Sequence, residues 1–96
     1  QDTMTTTLAA PRYRLSPAAL TQRIDEETVV LQLASEGYYV LDDVGTHMLT
    51  LLLETQDVEL AMEQLTNAYD VDPMQVRDDF SRIVDDLVAA EILVAD

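Results

Sequence analysis

Cysteine is absent from this 96-residue chain, which excludes disulfides, thiolate metal sites and a cysteine nucleophile, and suits a cytoplasmic protein. Lysine is absent too, so all five basic residues are arginines. With only Gly37 and Gly45, no glycine-rich loop is available to cradle a phosphate. His47 is the sole histidine, which removes two-histidine metal sites and leaves it as a solvated or half-buried structural residue on a helix. No apolar run approaches the roughly 20 residues of a membrane span. Residues 1–10 are polar and threonine-rich, unlike a signal peptide, and read as a disordered arm or an expression remnant ahead of one domain over residues 11–96.

What is abundant is negative charge: 19 acidic against 5 basic residues, a formal net charge of -14. Such a field repels nucleic acid and anionic lipid, and steers in basic peptides or proteins, besides keeping the chain soluble. Nearly half the residues are hydrophobic, enough for one packed core built on Leu, Val, Ile, Met and Ala.

Hydrophobic periodicity changes once along the chain. Tyr13 and Leu15 suit a short extended lead-in between Pro11 and Pro17. Leu20, Gln22 and Ile24 alternate with Thr21 and Arg23, and a polar break at Asp25, Glu26 and Glu27 precedes the β-branched run from Thr28 to Leu33. Ser35, Glu36 and Gly37 form a turn in which Gly37 is able to take a positive φ, and Tyr38, Tyr39, Val40 and Leu41 make the next strand. Then helical spacing takes over. Asp42 or Asp43 caps a helix carrying Val44, Met48, Leu51 and Leu52 on one face, and Asp57 caps a second with Val58, Ala61, Met62, Leu65, Ala68 and Tyr69. Asp72 and Pro73 start a third helix, expected over residues 73–90, followed by Ile92, Leu93 and Val94 as an extended tail. Strands first and helices after predict an α+β fold.

Catalytic signatures are missing. The carboxylate pairs Asp42 and Asp43, Asp78 and Asp79, and Asp85 and Asp86 are adjacent, and neighbours on a helix point about 100° apart, so they read as caps and solvated faces. Asp70 and Asp72 lack the central glycine of a calcium loop. None of the serines sits in the aspartate-serine-leucine setting of an acyl carrier protein. No catalytic residue, cofactor or metal is expected, and the chain reads as a non-enzyme.

Tyr38 to Leu41 should form a sheet edge with no lysine, proline or inward charge to protect it. Either a helix covers that edge, or the strand is short enough to be harmless, or an extended peptide adds to it as the next strand, with the third helix as pocket wall.

These segments resemble a known family. Val29-Val30-Leu31, Glu36-Gly37-Tyr38-Tyr39-Val40-Leu41-Asp42, Val44-Gly45, Leu65, Tyr69-Asp70-Val71-Asp72-Pro73, Val76, Asp79, Leu87 and Ile92-Leu93 are together similar to the PqqD-like RiPP recognition elements. The likeness runs from Tyr13 to Val94. Asp42 stands where asparagine is usual, Glu91 where glycine often precedes the final leucine, and Met48-Leu49 where isoleucine-tryptophan is common. These departures point away from the quinone-cofactor pathway, and the chain's length looks more like the stand-alone B1 recognition proteins of lasso-peptide biosynthesis. The resemblance implies a winged-helix-like domain, an N-terminal three-stranded antiparallel β-meander followed by three α-helices. It also implies a precursor's leader peptide as partner, delivered to a leader peptidase and cyclase, with no nucleic acid and no membrane. The expected leader-binding residues are Tyr38, Tyr39, Val40 and Leu41 on the strand, with Arg77, Phe80, Ser81, Val84 and Asp85 on the third helix. Among these, Phe80 and Val84 would line the pocket, Arg77 would meet a leader carboxylate and Asp85 a basic group. Affinity should be micromolar or tighter, about -8 kcal/mol. The alternatives are a winged-helix DNA-binding domain and an antitoxin-like or subunit-assembly protein without a peptide groove.

Overall fold

A computed structural model describes residues 12–95, so the expectation for residues 1–10 lies outside the described residues. Strands β1 (Tyr13–Leu15), β2 (Ala19–Ile24), β3 (Glu27–Gln32) and β4 (Gly37–Leu41) precede helices α1 (Asp43–Thr55), α2 (Val58–Tyr69) and α3 (Pro73–Ala89), and β5 (Leu93–Ala95) closes the chain. The meander is antiparallel in the order β2-β3-β4. The lead-in and the tail, expected only to be extended, pair with each other as a separate two-stranded sheet, Tyr13 opposite Ala95 and Leu15 opposite Leu93. The α+β architecture with three helices after the meander is as the sequence implies.

Helix starts follow their caps. Of the two aspartates that offered a cap for α1, Asp42 is the one used, its Oδ1 accepting from the Gly45 N–H at 2.7 Å, while Asp43 accepts from Val44. A carboxylate oxygen serves there as well as an amide oxygen, which explains how the position tolerates aspartate in place of asparagine. Asp57 and Asp72 cap α2 and α3, with Pro73 in the first turn.

Two turns depart from expectation. Glu36, with φ 63°, takes the left-handed conformation that Gly37 was able to supply, and no glycine has positive φ. Glu91 is left-handed as well, at φ 61°. The Ile92 N–H reaches back to the Leu87 carbonyl at 2.9 Å, and the buried Gln32 side chain donates to the Glu91 carbonyl at 2.6 Å. That bond holds a backbone shape which glycine adopts without strain.

The sheet turns the face with two polar residues inward. Thr28, Val30 and Gln32 are buried against the helices, while Leu31 is exposed on the far side. The buried polar groups are satisfied: the Thr28 and Thr46 hydroxyls lie 2.8 Å apart, and Gln32 uses both ends of its amide. Leu20, Ile24, Leu31, Tyr38 and Val40 are left exposed, and the strand register puts them all on the outer face. The core sits on the other side, where Val30, Leu52, Leu65, Phe80, Leu87 and Ile92 have almost no exposure. Each such side chain contributes roughly 1.5–3 kcal/mol of apolar burial.

Candidate functional site

β4 pairs with β3 on one side only. Which of its backbone groups face outward follows from the ladder. The Leu33 N–H bonds to the Ala18 carbonyl at 2.8 Å, so odd-numbered residues of β3 direct their backbone groups to β2 and even-numbered ones to β4. Carried through the β3–β4 register, Gly37, Tyr39 and Leu41 spend their groups on β3. Tyr38 and Val40 turn N–H and C=O to the open edge, where no described residue meets them. The register contains no bulge to shift this alternation.

Beside that edge, on the inner face, β4 and α3 stand apart and leave two clefts that share Tyr39. The first, about 330 Å³, has Leu41, Ile83 and Leu87 as its floor and Asp42 and Asp86 beside it, with Val40 and Glu27, which the register turns to the outer face, at its rim. The second, about 420 Å³, runs between Gly37 and the small residues Ala89 and Ala90. Going from Gly37 to Leu41, the chain therefore passes α3 from its C-terminal end toward its middle. Tyr39 points at the helices yet stays 38% exposed, because nothing fills the gap. Gly45 lets the start of α1 close on β4, since a Cβ there would stand 3.2 Å from the Asp42 carboxylate.

The strand residues expected from sequence lie together at this edge, whereas the helix residues do not. Phe80 is 1% exposed and Val84 8%, both in the core rather than on the groove wall. Ser81 and Asp85 are exposed, each about 200° around α3 from Ile83, and so face away from the cleft. Arg77 reaches α2 instead, its two guanidinium nitrogens 2.9 and 3.2 Å from the Glu59 carboxylate. The wall is formed by Ile83, Asp86 and Leu87, one turn further along than expected. Their spacing of three and four was visible in the sequence, but Phe80 and Val84 obey the same rule, and only packing separates the two stripes.

The Arg77 pairing makes a test. Its hydrogen bond and charge hold the Glu59 carboxyl below the ordinary carboxylate value. A lowered folded-state pKa stabilises above the ordinary value, and the contribution is lost as pH falls through the lowered one; at this exposed surface it is small. Arg77→Ala is expected to return Glu59 to ordinary titration by carboxylate NMR, and to leave ligand affinity at β4 unchanged. A loss of affinity would place Arg77 in the site after all.

His47 is half-buried, its Nδ1 3.3 Å from the Tyr69 hydroxyl, in a polar hollow bordered by Arg23, Glu26 and Asp43. Among the described residues no group of acidic or histidine side chains is arranged to hold a metal, and no helix is long and apolar enough to cross a membrane.

An α+β domain whose last meander strand has an open edge beside a two-part cleft has the geometry to accept an added strand. The chain belongs to the family described as coenzyme PQQ synthesis protein D (PqqD), which it matches over residues 27–93. A solved structure, TbiB1 in complex with the TbiA(beta) leader peptide, is similar at 31% identity and a TM-score of 0.76, over 83% of this chain and 93% of that one. A lasso peptide synthetase B1 complexed with the leader peptide shares the fold, at 23% identity and a TM-score of 0.78 over 86% and 98%. No protein with a curated description matches the sequence.

Proposed function

We propose that this chain is a non-catalytic cytoplasmic domain that binds the leader segment of a precursor peptide and presents it to a separate leader peptidase or cyclase, as in lasso-peptide biosynthesis. One observation carries the reading: the Tyr38 and Val40 backbone groups are open along an apolar cleft, in a chain 31% identical to a protein solved with a leader peptide. The leader runs antiparallel to β4, its alternate side chains entering the clefts on either side of Tyr39. The presenting step is supported by the outer face of the sheet. Leu20, Ile24, Leu31, Tyr38 and Val40 are all exposed there, and apolar surface gathered on one face marks a protein contact. DNA binding is opposed by Asp78, Asp85 and Asp86 on the exposed side of α3.

Calorimetry with the leader of a short precursor sought beside the gene tests the reading, with the TbiA(beta) leader as a second probe. The cognate leader is expected to bind at micromolar concentration or tighter. Leu31→Glu, on the outer face, should keep that affinity and lose co-elution with the peptidase. Failure of the cognate leader to bind, or tight binding of duplex DNA at low salt, would reverse the assignment.

A further inference from the structure

Gln32 ties the two sides of the groove together from beneath. It is 3% exposed on the inner face, and its Oε1 accepts from the Ala34 N–H at 2.8 Å, in the turn that leads into β4. Its Nε2 donates to the Glu91 carbonyl at 2.6 Å, in the segment that follows α3. Among the described residues no other hydrogen bond runs from the meander to α3 or to that segment.

Gly37 opens the cleft to this amide. The register sets Gly37 directly opposite Gln32, its φ is not positive, and a Cβ there would meet only the Ser35 Oγ at 3.5 Å, an ordinary contact. Nothing in the fold therefore requires glycine at this position. The missing side chain leaves the second cleft open across β4 to Gln32, which lines it with Ala89, Ala90 and Glu91. Strands lie about 4.8 Å apart, so an added strand would run about 10 Å from β3, and a side chain leaning inward over Gly37 meets the Gln32 amide.

We infer that Gln32 is a positioning residue: its two hydrogen bonds fix how far β4 stands from the end of α3, and so which size of side chain the added peptide carries opposite Gly37. This rests on the proposed strand addition and names the residue that gauges one of its subsites. The peptide runs antiparallel to β4, so that position is the last of its three helix-facing residues, after those opposite Leu41 and Tyr39. No described hydrogen bond crosses the first cleft, so the effect belongs to the second alone. Glutamate in place of Gln32 keeps the bond from Ala34 but sets an acceptor against the Glu91 carbonyl. Two acceptors do not stay 2.6 Å apart without a proton between them, so the segment after α3 moves outward and the cleft widens.

The probe is a 12-residue peptide selected by display from a random library and chosen because Val40→Pro abolishes its binding. Each of its residues is varied through Gly, Ala, Val, Leu and Phe, and affinities are read by calorimetry. Gly37→Ala, which the fold accommodates, marks the position opposite Gly37 as the one where large side chains lose most. Gln32→Glu is expected to shift the preference at that position toward larger side chains, changing the ratio of Phe to Ala affinities about tenfold, with the ratios elsewhere unchanged. Gln32→Met, of similar length but without either hydrogen bond, should flatten the size preference at the same position. Thermal melting follows stability, and each Gln32 variant is also made with Glu91→Gly, because glycine takes the left-handed shape at 91 without strain and recovers stability. Glu91→Gly alone should leave the preference as it is. Equal weakening of every peptide, or a size preference that Gln32→Glu does not move, overturns this inference and leaves strand addition standing. A library that yields no peptide sensitive to Val40→Pro overturns both.

Discussion

Val40→Pro is expected to weaken leader binding about 30-fold or more while the unfolding temperature moves by only a few degrees. The asymmetry comes from the ladder. Val40 directs its N–H away from β3, so proline there removes no hydrogen bond from the sheet, and an edge strand tolerates proline at that phase. The Val40 side chain lies on the exposed outer face, so little burial is lost. The added strand, however, loses a donor and meets a ring in its place. A peptide carbonyl left unpaired against protein costs about 2 kcal/mol, which is roughly 30-fold in affinity. Tyr39→Pro inverts the pattern: that N–H belongs to the β3 ladder, so the sheet itself should weaken. Titration calorimetry beside thermal melting reads both variants. Equal affinities for Val40→Pro and the unchanged chain would mean that no strand adds at this edge.

The open edge of β4 was legible in the sequence because strand periodicity is local. A run of Tyr, Tyr, Val and Leu after a polar turn predicts a strand, and its place at the end of a meander predicts an edge. What sequence could not supply was the facing. Val29, Leu31 and Leu33 look like the buried set of β3, and Thr28, Val30 and Gln32 like the solvated one. The structure buries the second set, because the Thr46 hydroxyl and the Glu91 carbonyl wait on the helix side to satisfy Thr28 and Gln32. Those partners are 18 and 59 residues away, beyond any period.

The placement of the helix residues was hidden for a related reason. α3 carries one broad apolar stripe, and its periodicity says which residues point off-solvent without saying which neighbour they meet. Phe80 and Val84 meet α1 through Met48, Leu49 and Leu52, while Ile83 and Leu87 also border the opening under β4. Arg77 was legible as a charge on an exposed position, but its partner Glu59 lies on a different helix, 18 residues back. The left-handed residues form a third group. Asp25, Glu36, Gln56, Asp70 and Glu91 take conformations for which glycine is the usual signal, so turn chemistry hid behind other residue types. At Gln56 the compensation is visible: its backbone N–H bonds to the Leu52 carbonyl, and its side chain donates to the Tyr13 carbonyl at 2.7 Å.

Phe80→Ala separates core from groove, and its expected effect is on stability. The ring is 1% exposed, and the cavity it lines with Met48, Leu49 and Leu52 measures only about 10 Å³, so the surroundings are nearly closed. Removing it should cost about 3–5 kcal/mol through lost transfer energy and the cavity left behind. A domain of this size has on the order of 5–15 kcal/mol in total, and at roughly 4–8 °C per kcal/mol the melting temperature should fall by tens of degrees. Whatever fraction remains folded at low temperature should bind leader with unchanged intrinsic affinity, since the groove floor is Ile83 and Leu87 rather than Phe80. Ile83→Ala is the counterpart: half-buried and on the floor, it should weaken binding severalfold at a smaller cost in stability. Melting curves and affinities at 10 °C for the two variants decide between the placements, and a Phe80→Ala protein that melts normally but no longer binds would move the site one turn back along α3.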